Sequence, residues 1–144
     1  MRTATVLFAI TWLMATGVRG QDDAAKEQKR LQGTWIFISV ESEGKSQDRF
    51  KDAKAVVKGD RVTVMLAKFG RFTRAFKLFT ASTPCCVDFL NEDGKGDAPE
   101  GIYELKDNRL RLLVNLRNGV KERPTTFADK EKSGHIYYVL ERQE

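Results

Sequence analysis

From Thr34 to Arg142 the chain is a succession of short runs of β-branched and aromatic residues, each soon broken by glycine, proline, asparagine or aspartate. Such punctuation leaves little room for long helices and predicts strands. Eight runs qualify: Thr34–Glu41, Ala55–Lys58, Arg61–Ala67, Arg71–Thr80, Cys85–Leu90, Gly101–Lys106, Arg109–Leu116 and His135–Arg142. Turn formers stand between them at Gly59-Asp60, Gly70, Pro84, Asn91 to Gly96 and Asp107-Asn108. Connections this short join antiparallel neighbours as hairpins.

Alternation within the runs assigns faces. Leu110, Leu112, Val114 and Leu116 share one side of their strand, while Arg109, Arg111 and Asn115 take the other together with one apolar intruder, Leu113. Val62, Val64 and Leu66 line up in the same way, and so do Phe72, Phe76 and Leu78, with Arg74 among them. An antiparallel meander with one dry face removes both exposed edges by closing on itself. The expected fold is therefore all-β, an eight-stranded antiparallel barrel, closed or partly open, with a two-sheet sandwich as the alternative. One short N-terminal helix is expected over Asp22 to Leu31, acidic at its start, basic at its end and stopped at Gly33.

The first twenty residues read as an address. Arg2 supplies a positive start, Ala4 to Val18 is almost wholly apolar, and Val18-Arg19-Gly20 offers a cleavage site before Gln21. The apolar run falls short of the ~20 residues of a membrane-spanning helix, so residues 1–20 are expected to be a signal peptide. Residues 21–144 then form one exported domain, periplasmic or secreted, with no stable membrane insertion after cleavage. The chain has 25 Lys and Arg against 20 Asp and Glu; the leader holds two of the arginines and no acid, leaving +3. Interspersed charge of that size argues against a nucleic-acid partner, which would need a basic stripe with stacking aromatics.

The residues Leu31-Gln32-Gly33-Thr34-Trp35 carry a Gly-x-Trp that resembles the lipocalin signature. That resemblance implies a glycine permitting close approach, a tryptophan plugging the closed end of the barrel, and Arg142 lying over the indole. A longer match joins LQGTW, DGKGDAPEGIYELKDNRLRL, KERPTTF and a last strand ending in ER. Over Leu31 to Arg142 the chain resembles the small lipocalin-like domain of exported proteins of planctomycetes and related bacteria, Gly101-Ile102-Tyr103 and Glu122-Arg123-Pro124-Thr125 being the sharpest pieces. The resemblance implies a fold and an exported location, with no settled activity. Cys85-Cys86 departs from it.

The two cysteines are neighbours and cannot staple distant segments, so buried, reduced thiols are expected. His135 is the only histidine and follows Gly134, where exposure is expected; neither a histidine relay nor a histidine-based zinc site has its partners. The acidic run from Asn91 to Asp97 fails as a calcium loop, since Lys95 fills a ligand position and Ile102 stands where the closing glutamate belongs. No catalytic residue, metal or cofactor is therefore expected. Phe72, Arg74, Phe76, Tyr103 and Tyr138 are the candidates for lining a ligand cavity; Arg74 has an ion pair to Glu104 or a place near the mouth as its ordinary alternatives. Arg123, Pro124 and Phe127 lie in the long connection 117–134, which either recognises a partner or folds back to plug one end, Phe127 buried and Arg123 paired to an acid. Residues 42–54 form the other long, polar connection. The functional expectation is a non-catalytic binding module for a small apolar or amphipathic ligand. The alternative is an envelope protein-interaction or structural domain whose core is filled, as bulky residues on nearly every strand suggest.

Overall fold

Each alternating run becomes a strand because only a pleated ribbon puts its apolar set on one side and its charged set on the other. The computed structural model describes residues 18–95, 99–116 and 122–144, with the first five of these described in backbone only. Most of the expected signal peptide, residues 1–17, thus lies outside the described residues. Helix α1 runs Val18–Leu31, four residues longer at its start than expected. Among the described residues nine strands follow: β1 Gly33–Ser42, β2 Lys45–Ser46, β3 Lys54–Lys58, β4 Arg61–Leu66, β5 Gly70–Phe79, β6 Cys85–Leu90, β7 Glu100–Lys106, β8 Arg109–Asn115 and β9 His135–Arg142.

The strands pair in chain order, all antiparallel, from β1 through β3 to β9, and β9 returns to β1. This makes a closed eight-stranded barrel of lipocalin-like form; the two-residue β2 is an extra strand hooked onto the end of β1. A sandwich is excluded by the β1–β9 seam, whose register runs from Trp35 opposite Arg142 to Ser42 opposite Ile136. A bulge between Phe37 and Ser39 bends β1 along the seam and turns Ile38 outward, where it is half exposed.

The barrel core is built by the inward set. Trp35, Val40, Val57, Val64, Phe76, Val87, Tyr103, Ile136 and Leu140 are all buried in one cluster. Each fully buried side chain of this kind contributes ~1.5–3 kcal/mol relative to exposure. Leu31 joins the cluster from the last turn of α1, so the helix covers one end of the barrel. Gln32 fastens that cover: its amide nitrogen donates to Gly59 O and its amide oxygen accepts from Gly59 N, tying the end of the helix to the β3–β4 turn.

Two segments depart from expectation. Residues 42–54 are not a plain loop, for they hold β2 and a 3-10 turn, Asp48–Phe50, that delivers Phe50 into the core. Ala53, just beyond it, is also fully buried. The second departure lies on the outside of the barrel. Ile102 and Leu113 stand opposite each other on the outward face of β7 and β8, yet they are 1% and 0% exposed. An apolar pair on the outer wall needs a cover, and residues 122–134 provide it.

Candidate functional site

Two successive peptides build the closed end. Gly33 has φ +117, a region that favours glycine, and a Cβ there would stand 3.3 Å from Arg142 Nη1. This close approach lets the end of β9 reach the end of α1. Trp35 is fully buried and its indole Nε1 donates to Leu31 O at 2.8 Å. Arg142 lies over the indole, Cζ 4.4 Å from the ring centroid. Its Nη1 donates to Gln32 O at 2.5 Å and its Nη2 to Arg30 O. The guanidinium thus caps carbonyls that the helix leaves without partners.

Above this floor the interior is not filled, contrary to the expectation from its bulky residues. A cavity of about 270 Å³ remains. Strand direction orients it, because β1 starts at the Trp35 floor while the β4–β5 tip lies at the other end. Val64, Phe76, Val87, Leu112 and Leu140 form its walls. Leu66, Phe72 and Leu116 line it near the far end, and Phe72 and Leu116 are 42% and 37% exposed, which marks an open mouth. Gaps of this kind arise because barrel radius is set by strand number and stagger rather than by side-chain volume.

All five sequence-predicted lining residues, Phe72, Arg74, Phe76, Tyr103 and Tyr138, face this one cavity. Tyr103 belongs to the deep part. Its hydroxyl is buried with no aligned hydrogen-bond partner among the described residues, and the thiol of Cys85 lies beside it. Burial, reinforced by the neighbouring thiol and by Glu27, pushes the phenol far above its usual range. Burial likewise pushes the Cys85 thiol up. Tyr138 is pushed up to about 12 by burial, with the positive charges of Arg49 and Arg74 pulling the other way.

Arg74 does not meet Glu104. That carboxylate is on the outer face and accepts from Arg111 at 2.9 Å, because strand alternation sends Glu104 out and Arg74 in. Arg49 and Phe50 also line the cavity, delivered by the 3-10 turn. Phe50 packs between Phe37 and Tyr138, with ring centroids 5.3 and 5.6 Å apart, and Arg49 lies 4.9 Å over its ring. A lone phenylalanine in a polar stretch shows no periodicity, so neither residue was legible as a wall element.

The connection expected to plug one end instead straps the outside. Arg123 Nη1 donates to Val87 O and Gly101 O at 3.1 and 2.9 Å, and Nη2 pairs with Asp88. Pro124 is buried, whereas Phe127 is only half-buried and stacks on the outer wall against Tyr137 and Arg111. Burial of Ile102 and Leu113 is what this placement achieves. Residues 117–121 of the connection lie outside the described residues.

Two smaller expectations are corrected. His135 is buried at 5% exposure, its Nδ1 on Ser133 O at 3.0 Å, because the strap returns directly over the start of β9. The cysteines are free and half-buried rather than buried: alternation turns Cys85 inward beside Tyr103 and Cys86 outward beside Ser82 Oγ, 3.2 Å away. Among the described residues no three His, Cys, Asp or Glu side chains converge as a metal site. None of the described helices is long and apolar enough to cross a membrane.

Compared with known proteins, the chain matches no family model, no curated protein and no solved structure. Fold and site together define a class nonetheless, that of a small lipocalin-like barrel with an apolar chamber open at one end.

Proposed function

We propose that this chain is an exported, non-catalytic binding module for a small apolar or amphipathic ligand, and a member of the small lipocalin-like domain group of exported planctomycete-type bacterial proteins. One observation carries the reading, the chamber of about 270 Å³ between the Trp35 floor and the Phe72 rim. Ligand sites commonly run from ~300 Å³ upward, so the ligand is small. Apolar walls favour apolar guests, since water finds too few partners against them. The chemistry of the wall supports binding over turnover: among the described residues the titratable groups on it are two arginines and two tyrosines, and the single histidine belongs to the outer face.

The test is native mass spectrometry of the protein purified from its own host. A copurifying small molecule that organic extraction releases is the expected result. A clean apo mass together with a stable protein partner would favour the envelope-interaction role and overturn this one.

A further inference from the structure

The cavity wall is chemically lopsided. Among the described residues that line it, the charged ones are Arg49 and Arg74, and no carboxylate is among them. Arg74 is half-buried and makes no hydrogen bond or ion pair among the described residues. Arg49 is exposed, has no carboxylate within ion-pair distance there, and lies over the face of Phe50. Arg109 meets Glu141, Arg111 meets Glu104 and Arg123 meets Asp88. Arg49, Arg71 and Arg74 have no such partner among the described residues; Arg71 is exposed and lies outside the chamber, whereas Arg49 and Arg74 face it, and of the three only Arg74 is half-buried.

A half-buried guanidinium without a partner is costly, and two of one sign around one opening add mutual repulsion. Both costs are relieved by one anion seated between them. The planar fork of arginine matches a planar two-oxygen head in particular. The hydroxyl of Tyr138 offers a further donor at the same place, for this residue lines the cavity and feels the charge of both arginines. Below that level the wall carries no charge and, Tyr103 apart, is apolar, through Phe76, Val87 and Leu112 to Trp35.

Resting on the binding reading above, and deepening it, we propose that the ligand is a single-chain amphiphile with an anionic head, held by Arg49 and Arg74 at the mouth while its tail runs toward Trp35. The charge sign at the rim sets specificity. The tail supplies affinity by burial and does not discriminate among amphiphiles of equal length.

Isothermal titration calorimetry on the delipidated full chain at low ionic strength tests this with three ligands of one tail length: decanoate, decanol and decyltrimethylammonium. Decanoate is expected to bind about tenfold more tightly than decanol, and the cation more weakly than either. Arg74→Met is expected to cut decanoate affinity about tenfold and to leave decanol within about twofold, which a merely structural role for Arg74 does not predict. Arg49→Met, on an exposed turn whose loss leaves the strands intact, is expected to do the same. Equal binding of decanoate and decanol, or a preference that survives both substitutions, overturns the assignment of the head. Failure of all three ligands to bind overturns the binding reading along with it.

Discussion

Replacing Arg142 by methionine isolates the bolt that holds helix, first strand and last strand together. The substitution keeps most of the side-chain stem and removes three interactions. One is the charged hydrogen bond to Gln32 O, partly buried at 2.5 Å and of a kind contributing about 1.5–3 kcal/mol. The second, to Arg30 O, is exposed, and solvent competition leaves it a few tenths. The third is the contact with the Trp35 face at 4.4 Å, about 0.5–1 kcal/mol at a site of this accessibility. Together they give about 2–4 kcal/mol, and for a domain of this length that is a fall in Tm of about 10 °C. Thermal unfolding followed by far-ultraviolet circular dichroism at pH 7 measures it. Arg142→Lys should recover less than half of the loss, because a single ammonium cannot span two carbonyls and cover the ring at once. A methionine variant melting within about 2 °C of the parent would refute the argument and leave the floor held by packing alone.

Gly101→Ala should lower stability by about 1–3 kcal/mol, read as a shift of the urea midpoint. A Cβ at Gly101 would stand 2.6 Å from Leu113 O and 3.1 Å from Val114 Cγ2, and a ladder carbonyl cannot yield as a flexible side chain does; an unchanged midpoint contradicts this. At high pH the tyrosines decide. An unfolded chain releases tyrosine protons near pH ~10, whereas the native barrel holds that of Tyr138 to about 12 and that of Tyr103 further still. Their contribution is thus fully present below pH ~10 and is lost as pH rises through the native values, so alkaline unfolding should begin above pH ~10 with late tyrosinate absorbance. Simultaneous titration of all three tyrosines near pH ~10, with the circular dichroism unchanged, is the contrary result.

Much of the barrel was legible because strand alternation is local. Leu110, Leu112 and Val114 declare their side of β8 without reference to anything distant, and the turns at Gly59-Asp60 and Asp107-Asn108 declare antiparallel neighbours. For the same reason Phe72, Arg74, Phe76, Tyr103 and Tyr138 could be grouped on one interior. What stayed hidden depends on long-range packing. Phe50 reads as a stray ring in a polar stretch until the turn around it docks on Phe37 and Tyr138. Leu113 was visible as an intruder on a wet face, but the strap that dries it is set by Arg123 reaching carbonyls of β6 and β7. His135 reads as a loop-exit residue because nothing local announces that the strap covers it. The chamber itself is a difference between barrel radius and side-chain volume, and no single position encodes it.

The seam between β1 and β9 has a consequence for how the molecule comes into being. Trp35 finds its partner at Arg142, almost the whole length of the domain away, and until that last ribbon exists β1 has only β2 and β3 beside it. Contacts of such sequence separation are slow to form, since the ends of the chain must first find each other. A growing chain therefore stays an open, unfinished curl until β9 has emerged. The last of the nine described strands to be made is the one that turns a sheet into a barrel.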